Sequence, residues 1–141
     1  MIATIIGADG KMGVWLTNHL SKMGHTIVSF DARKGDSSSI LKEADAVIVS
    51  VPVSKTAEET RNALKHMRKG ARIIEIASLK TGTYPEMVKA EEQGFESLSI
   101  HPMFGPSVKN LSEKTVAVIP VVDADKETRW AAELFPGASF V

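Results

Sequence analysis

The chain has 141 residues, 43% of them hydrophobic and 24% charged, which is enough for one globular domain with its own core. Lysine plus arginine equals aspartate plus glutamate at 17 each, so the charge balance predicts neither a nucleic acid nor a membrane as a partner. Cysteine is absent, which excludes disulfides, thiolate catalysis and cysteine-ligated zinc and is typical of a reducing compartment.

Short apolar runs alternate with amphipathic segments along the chain, as in consecutive βαβ units. The first run, Ile2–Ile6, has no basic flank and ends at a glycine, so it predicts neither a signal peptide nor a membrane span, and we expect a cytoplasmic protein. The predicted strands are Ala3–Ile6, Thr26–Phe30, Ala46–Val51, Arg72–Ile76, Ser97–Ile100, Thr115–Val121 and Ala138–Val141. The predicted helices are Lys11–Met23, Ser38–Lys42, Thr56–Met67, Tyr84–Gln93 and Lys126–Leu134. Since several strands are almost wholly apolar, residues 1–141 are predicted to form one doubly wound, Rossmann-like α/β domain, with a mainly parallel sheet and helices on both faces.

Start and stop signals of helices agree with this order of elements. Thr56-Ala-Glu-Glu59 and Thr83-Tyr-Pro-Glu86 predict capping boxes at the starts of two helices. Gly24, Gly70 and Gly94 lie where helices are expected to end.

Three glycines, Gly7, Gly10 and Gly13, lie between the first predicted strand and the first predicted helix. A strand that turns sharply into a helix presents unpaired backbone N–H groups and the positive end of the helix dipole, and missing side chains let a pyrophosphate approach. The spacing is one residue longer than in the usual Gly-x-Gly-x-x-Gly motif, so either the turn is expanded or the chain turns at Gly7. The alternative interpretation is that these glycines form ordinary tight turns and bind no cofactor. The predicted cofactor-binding residues of this loop are Gly7, Ala8, Asp9, Gly10, Lys11, Met12 and Gly13.

Asp31 follows the second strand, about 20 residues after Gly10, where an acidic residue meets the ribose hydroxyls of NAD. A carboxylate there would repel a 2′-phosphate, so Asp31 predicts NAD. The neighbouring pair Arg33-Lys34 could supply the charge that NADP needs, and Arg33 is counted among the predicted cofactor-binding residues. The simpler interpretation is that an aspartate after a strand begins a turn.

Polar residues follow three further strands, and parallel strands bring their carboxyl ends to one edge of the sheet. His101 follows the fifth strand and is a candidate general acid or base beside a bound dinucleotide. Ser78 and Lys80 follow the fourth strand. The alternative interpretation of Ser78 is a turn or helix-cap hydroxyl, and that of Lys80 is a solvated charge. For His101 the alternative is a loop histidine whose ring is hydrogen-bonded to the backbone. Glu75, just inside the fourth strand, can pair with Lys80 or bind loop amides. The end of the third strand adds three predicted cofactor-binding residues, Ser50, Val51 and Pro52.

Four motifs in this order closely resemble the nucleotide-binding domain of the prephenate dehydrogenases of tyrosine biosynthesis. They are the glycine loop, Ser50-Val-Pro52, Glu75-Ile-Ala-Ser78-Leu-Lys80-Thr-Gly82 and His101-Pro-Met-Phe-Gly-Pro106, and the resemblance covers nearly the whole chain. It implies oxidation of the ring hydroxyl carbon of prephenate or arogenate, with hydride transfer to NAD or NADP, loss of carbon dioxide and aromatisation, without a metal. It also implies that His101 accepts the hydroxyl proton and that Ser78 helps to orient histidine and substrate.

Members of the family that this chain resembles carry a helical domain after the nucleotide-binding domain, which dimerises and supplies an arginine to the substrate carboxylate. The present chain ends at Val141, so we expect that domain to lie outside it, the isolated domain to be inactive and the full-length protein to be a homodimer acting on a small molecule. Alternatives are an arogenate dehydrogenase, another hydride-transfer oxidoreductase on a Rossmann domain, and an NAD(H)-binding regulatory module.

Overall fold

The computed structural model describes all residues from Met1 to Val141. The strands are β1 (Ile2–Ile6), β2 (Thr26–Phe30), β3 (Ala46–Val49), β4 (Arg72–Glu75), β5 (Glu96–Pro102), β6 (Thr115–Ile119) and β7 (Ser139–Phe140). The helices are α1 (Lys11–Lys22), α2 (Ser39–Glu43), α3 (Val53–Leu64), α4 (Tyr84–Glu92) and α5 (Ala124–Leu134), and a 3-10 turn covers Ala32–Lys34. None of these helices combines the length and the apolar character needed to cross a membrane.

The seven strands form one sheet in the order β2-β1-β3-β4-β5-β6-β7. Every neighbouring pair is parallel except β5 and β6, which run antiparallel. The prediction of a mainly parallel sheet is therefore confirmed. The chain crosses from β2 back over β1 to β3, so the strand order reverses between β1 and β3, and ligands of such sheets bind outside the carboxyl ends of the strands at this switch point.

The core has two layers, one on each face of the sheet, as predicted. Each layer is a cluster of 14 buried residues. Alternate residues of the strands enter opposite layers, as Ile5 and Ile6 do in β1. Helices α1 and α5 cover one face, and α2, α3 and α4 cover the other.

The two predicted capping boxes near the cleft do not form. Helix α3 begins at Val53, directly after Pro52, and not at Thr56. The Thr56 hydroxyl lies inside the helix and donates to the Pro52 carbonyl at 3.2 Å, so Thr56 does not cap it. At α4, Thr83 is the N-cap residue as expected, but its side chain makes no cap hydrogen bond, and Glu86 pairs with Arg61 at 3.0 Å instead.

Strand β5 continues past the predicted end at Ile100 and includes His101 and Pro102. Its parallel contact with β4 ends at Ser99, whereas its antiparallel contact with β6 runs from Ser99 to Pro102. The pairing with β6 therefore extends β5 beyond the edge of the parallel sheet. As a result His101 lies in a hydrogen-bonded strand and not in a loop.

Candidate functional site

The glycine loop turns at Gly7, which resolves the two alternatives that the spacing left open. Gly7 has φ +90°, and a Cβ there would lie 2.0 Å from the Ser50 carbonyl oxygen, so only glycine fits. The Gly10 N–H donates to the Gly7 carbonyl at 3.1 Å and closes the turn. A Cβ on Gly13 would lie 2.1 Å from that same carbonyl oxygen, so Gly13 lets α1 pack directly against the turn.

The amino terminus of α1 is left without a side-chain cap. Its N-cap is Gly10, which has no side chain, and no acidic residue lies in the first turn. By contrast, the Asp123 carboxylate caps α5 by accepting from the Lys126 N–H at 3.1 Å. The first-turn N–H groups of α1, including those of Lys11 and Met12, have no intrahelical acceptor and are available to an anion. Together with the close packing at Gly7 and Gly13, this arrangement fits the pyrophosphate of a dinucleotide.

One half of the cleft lies between the glycine loop and the end of β2, and Asp31 is its central charged residue. The Asp31 carboxylate accepts from the Arg33 backbone N–H at 2.9 Å and from its Nε at 3.1 Å. The hydrogen bonds from Arg33 lower the pKa of Asp31, so this carboxylate is ionised at neutral pH. Asp31 also begins the 3-10 turn, as the simpler interpretation of this residue predicts. This half is lined by Gly7, Ala8, Asp9, Gly10, Ser29, Phe30, Asp31, Arg33, Lys34, Asp36, Ser50, Val51 and Pro52.

An ion pair connects the glycine loop to the segment after β2. The Lys34 ammonium group contacts the Asp9 carboxylate, and this contact raises the pKa of Lys34. Both side chains are largely exposed, so the pair lies at the mouth of the cleft and contributes little to stability.

The other half of the cleft lies over the ends of β4 and β5. It shares Gly10 and the Ser50-Val51-Pro52 segment with the first half, so the two halves are continuous. Its further lining residues include Lys11, Met12, Ala77, Ser78, His101 and Phe104. The structure therefore brings the predicted cofactor loop, Ser78 and His101 to one cleft.

The His101 side chain is half-buried in this second half. Its Nδ1 atom is buried and has no hydrogen-bond partner, and no side-chain hydrogen bond of the domain involves its ring. The alternative interpretation, a histidine satisfied by backbone groups, is therefore wrong. Ser78 is exposed in the same cleft, and no hydrogen bond joins it to His101.

Beneath Ser78 and His101 lies a fully buried carboxylate, that of Glu75. Its Oε1 accepts from Lys80 Nζ at 2.7 Å and from the Ser99 hydroxyl, and its Oε2 accepts from the Ala77 N–H at 2.9 Å. Glu75 thus makes both of the contacts that the sequence left open. The hydroxyl of Ser99 was missed, although a serine in an apolar strand is a signal that could have indicated a buried polar partner.

Lys80 is not the solvated charge of the alternative interpretation, since only 16% of its side chain is exposed. Besides Glu75, its ammonium group binds the Ile100 carbonyl oxygen at 2.6 Å. Burial lowers the pKa of Lys80, and the Glu75 carboxylate partly offsets this effect.

An aromatic cluster connects the segment after His101 to α1. The Trp15 ring stacks on His19 at 4.7 Å between centroids and meets Phe104 edge-on at 5.2 Å. The Trp15 indole N–H donates to the Val108 carbonyl at 2.8 Å, and His19 Nε2 is bonded to the Leu134 carbonyl. These contacts fix the cleft wall at Phe104 to the helix whose amino terminus faces the cleft.

The reversal of strand order, the turn at Gly7 and the uncapped amino terminus of α1 define a dinucleotide-binding domain of the Rossmann class. The chain belongs to the family described as prephenate dehydrogenase, nucleotide-binding domain, whose sequence model matches residues 6–134.

A curated relative agrees with this assignment, and solved structures share the fold. A protein of Methanocaldococcus jannaschii named "Probable arogenate/prephenate dehydrogenase" is 26% identical over 147 residues, covering 94% of this chain and 33% of its own length. Among solved structures, the Synechocystis arogenate dehydrogenase shares the fold with a TM-score of 0.76 at 18% identity, covering 100% of this chain and 59% of its own. A 3-hydroxyisobutyrate dehydrogenase of Mycobacterium tuberculosis gives a TM-score of 0.78 at 21% identity, covering 99% of this chain and 53% of its own. The chain thus spans a third of the length of the archaeal relative and little more than half of the two solved chains.

Proposed function

We propose that the protein carrying this chain oxidises prephenate to 4-hydroxyphenylpyruvate with NAD, releasing carbon dioxide, and that this domain holds the cofactor and the catalytic base. The observation that carries the proposal is His101, whose ring lines a cleft together with the end of the glycine loop and makes no hydrogen bond within the protein. Membership of the prephenate dehydrogenase family supports the choice of reaction.

The domain binds the dinucleotide chiefly through its backbone. The N–H groups at the start of α1, at Lys11, Met12 and Gly13, hold the pyrophosphate, and Gly10 leaves room for it. Ser50, Val51 and Pro52 border both halves of the cleft and contact the middle of the cofactor.

Asp31 binds the hydroxyls of the adenine ribose and favours NAD over NADP. Three carboxylates line this half of the cleft, those of Asp9, Asp31 and Asp36, against the two cations Arg33 and Lys34. Each of these cations is already paired with a carboxylate, Arg33 with Asp31 and Lys34 with Asp9. A 2′-phosphate would meet a net negative wall, and its binding would require those pairs to open.

His101 removes the proton of the ring hydroxyl while the carbon–hydrogen bond of the same carbon breaks. The bound nicotinamide supplies the hydride acceptor. Because loss of the hydroxyl proton raises the electron density at that carbon, a base within hydrogen-bond reach lowers the barrier to hydride departure. The ring carboxylate then leaves as carbon dioxide, its bonding electrons complete the aromatic ring, and the phenolate oxygen takes up a proton. Ser78, in the same cleft, orients the substrate hydroxyl.

The two carboxylates of the substrate require more cations than this domain offers beside His101. Lys80 is bound to Glu75 and Ile100 beneath the cleft, which leaves only Lys11 among the cationic lining residues of this half. A further domain of the same polypeptide, in a homodimer, supplies a basic residue to the substrate carboxylate.

The test is an assay of the protein that carries this domain, with prephenate, arogenate and β-hydroxyacids such as 3-hydroxyisobutyrate each offered with NAD and with NADP. We expect oxidation of prephenate with NAD to have the highest kcat/KM. Arogenate as the better substrate would make the protein an arogenate dehydrogenase. Turnover only of β-hydroxyacids would favour another Rossmann oxidoreductase, since the fold of 3-hydroxyisobutyrate dehydrogenase is equally similar. Cofactor binding without turnover of any of these substrates would favour a nucleotide-sensing module.

A further inference from the structure

The Glu75 carboxylate is hydrogen-bonded to residues close in the chain to Ser78 and His101, the two candidate catalytic residues, but to neither of the two directly. Its Oε2 accepts from the N–H of Ala77, the residue before Ser78. Its Oε1 binds the hydroxyl of Ser99, two residues before His101. Its partner Lys80 donates to the carbonyl of Ile100, the residue directly before His101.

Stability alone does not account for a carboxylate at this position. In the sheet Glu75 is paired with Val49 of β3 on one side and Ser99 of β5 on the other, and the preceding residues of its own strand, Ile73 and Ile74, are apolar. A hydrophobic side chain would fit such a place, and replacing a buried ion pair by apolar groups is often neutral or stabilising. The carboxylate instead accepts hydrogen bonds from three donors, which belong to two different strand ends. It can do so because both of its oxygens are acceptors.

We propose that Glu75 is a positioning residue: from beneath the cleft, it fixes the Ser78 segment and His101 relative to each other through Ala77, Lys80 and Ser99. This inference rests on the proposed role of His101 as the base. In glutamine one of the two carboxylate oxygens is replaced by an NH2 group, which donates and does not accept. With glutamine at position 75, either the hydrogen bond from the Ala77 N–H or the one from Lys80 therefore loses its acceptor atom. One strand end is then released while the side-chain shape is kept.

Glu127 provides a matched control. It is also buried, with 1% exposure, and its carboxylate also binds three donors, in this case the backbone N–H groups of Val121, Val122 and Asp123, at 2.6–2.9 Å. Glu127 lies in α5 and does not line either half of the cleft. Glu75→Gln and Glu127→Gln should therefore both lower the thermal stability, but only Glu75→Gln should change the catalytic cleft.

The experiment combines steady-state kinetics of the protein that carries this domain with histidine NMR of the 141-residue chain, in which His101→Asn assigns the His101 signal among four histidines. For Glu75→Gln we expect a shifted His101 signal, an unchanged KM for NAD and a kcat lower by about 100-fold, the cost of a misplacement near 1 Å. Glu127→Gln should keep the wild-type kcat and His101 signal. A wild-type kcat and signal in Glu75→Gln, or equal losses in both variants, would overturn the proposal.

A double variant separates positioning from stability. Glu75→Gln with Lys80→Met removes the uncompensated ammonium group and should recover stability without recovering kcat or the His101 signal. Recovery of kcat in the double variant would overturn the positioning role. If the wild-type protein oxidises neither prephenate nor arogenate, the proposed function fails, whereas the NMR signal still reports whether Glu75 fixes His101.

Discussion

His101 is paired with Ala117 across the antiparallel contact between β5 and β6, beyond the point where the contact of β5 with β4 ends. Backbone pairing therefore holds the candidate base on a strand that projects past the parallel sheet. Sites on strands keep their geometry better than sites on loops, and an acid–base group needs such control because its distance to the substrate hydroxyl sets the rate.

Removing the imidazole tests its role directly. His101→Asn keeps a polar side chain of similar size but has no basic nitrogen. We expect kcat to fall by about 100- to 10,000-fold, the usual contribution of a general base, with the dissociation constant of NAD unchanged. Steady-state kinetics and calorimetric titration of NAD measure the two effects. Equal losses of kcat and of NAD affinity would contradict a role as base.

Two glycines of the same loop should respond differently to alanine. A Cβ at Gly13 meets the Gly7 carbonyl at 2.1 Å, so Gly13→Ala should lower the free energy of unfolding by about 1–3 kcal/mol or more. A Cβ at Gly10 lies 3.4 Å from that carbonyl, so Gly10→Ala should keep most of the stability but weaken NAD binding, because the methyl group takes space meant for phosphate. Gly82→Ala, which meets no atom within 4 Å, is the control for both measurements. Denaturant unfolding measures the free energy of unfolding of each variant, and calorimetric titration measures its affinity for NAD. Tight binding of NAD by Gly10→Ala would contradict a phosphate site next to Gly10.

The Asp31 carboxylate should determine the choice of cofactor. Asp31→Asn removes the charge opposing a 2′-phosphate and releases the Arg33 guanidinium from its ion pair. We expect the ratio of NAD to NADP affinity to fall by about tenfold. Binding of both cofactors is compared by titration, with Asp125→Asn on α5 as a control for lost charge. An unchanged ratio would rule out Asp31 as the discriminating residue.

Asp45 should make the free energy of unfolding depend on pH in the acidic range. Its carboxylate accepts from the Ile2 N–H at 2.7 Å and from Arg68 at 2.6 Å, and the hydrogen bond from Ile2 is the main reason why its pKa is lowered. A lowered folded-state pKa means that the contribution is complete above the unfolded value of about 3.9 and is lost as the pH falls through the folded value. Asp45→Asn should therefore be less stable than the wild type at pH 7, and the difference should disappear as the pH falls through the lowered pKa of Asp45. Thermal unfolding at several pH values measures this, and a constant difference would contradict it.

The order and type of the elements were predictable because the strands are compact apolar runs between helix signals. The antiparallel direction of β6 was not, since its sequence, Thr115–Ile119, is as apolar as that of a parallel strand and its direction depends on how the long connection after Pro102 returns. The end of β5 was misplaced for the same reason, because the pairing that extends it belongs to β6.

The residues that line the cleft could be predicted from strand ends, but the contacts below them could not. The hydroxyl of Ser99 contacts Glu75 on the neighbouring strand, 24 residues away in the chain, and no local pattern encodes that contact. The start of α3 was misplaced because a threonine followed by two glutamates has the pattern of a capping box, whereas Pro52 already has a φ of −52° that suits a helix start.

The position of Trp15 provides an intrinsic optical probe of the cleft. It stacks on His19 and meets Phe104, a lining residue, whereas the only other tryptophan, Trp130, is buried in α5 beneath Arg72 and Lys126. Indole emission depends on the immediate surroundings of the ring, so a nucleotide that displaces Phe104 changes the fluorescence of Trp15 and leaves that of Trp130 constant. Occupancy of the site can then be followed without a label.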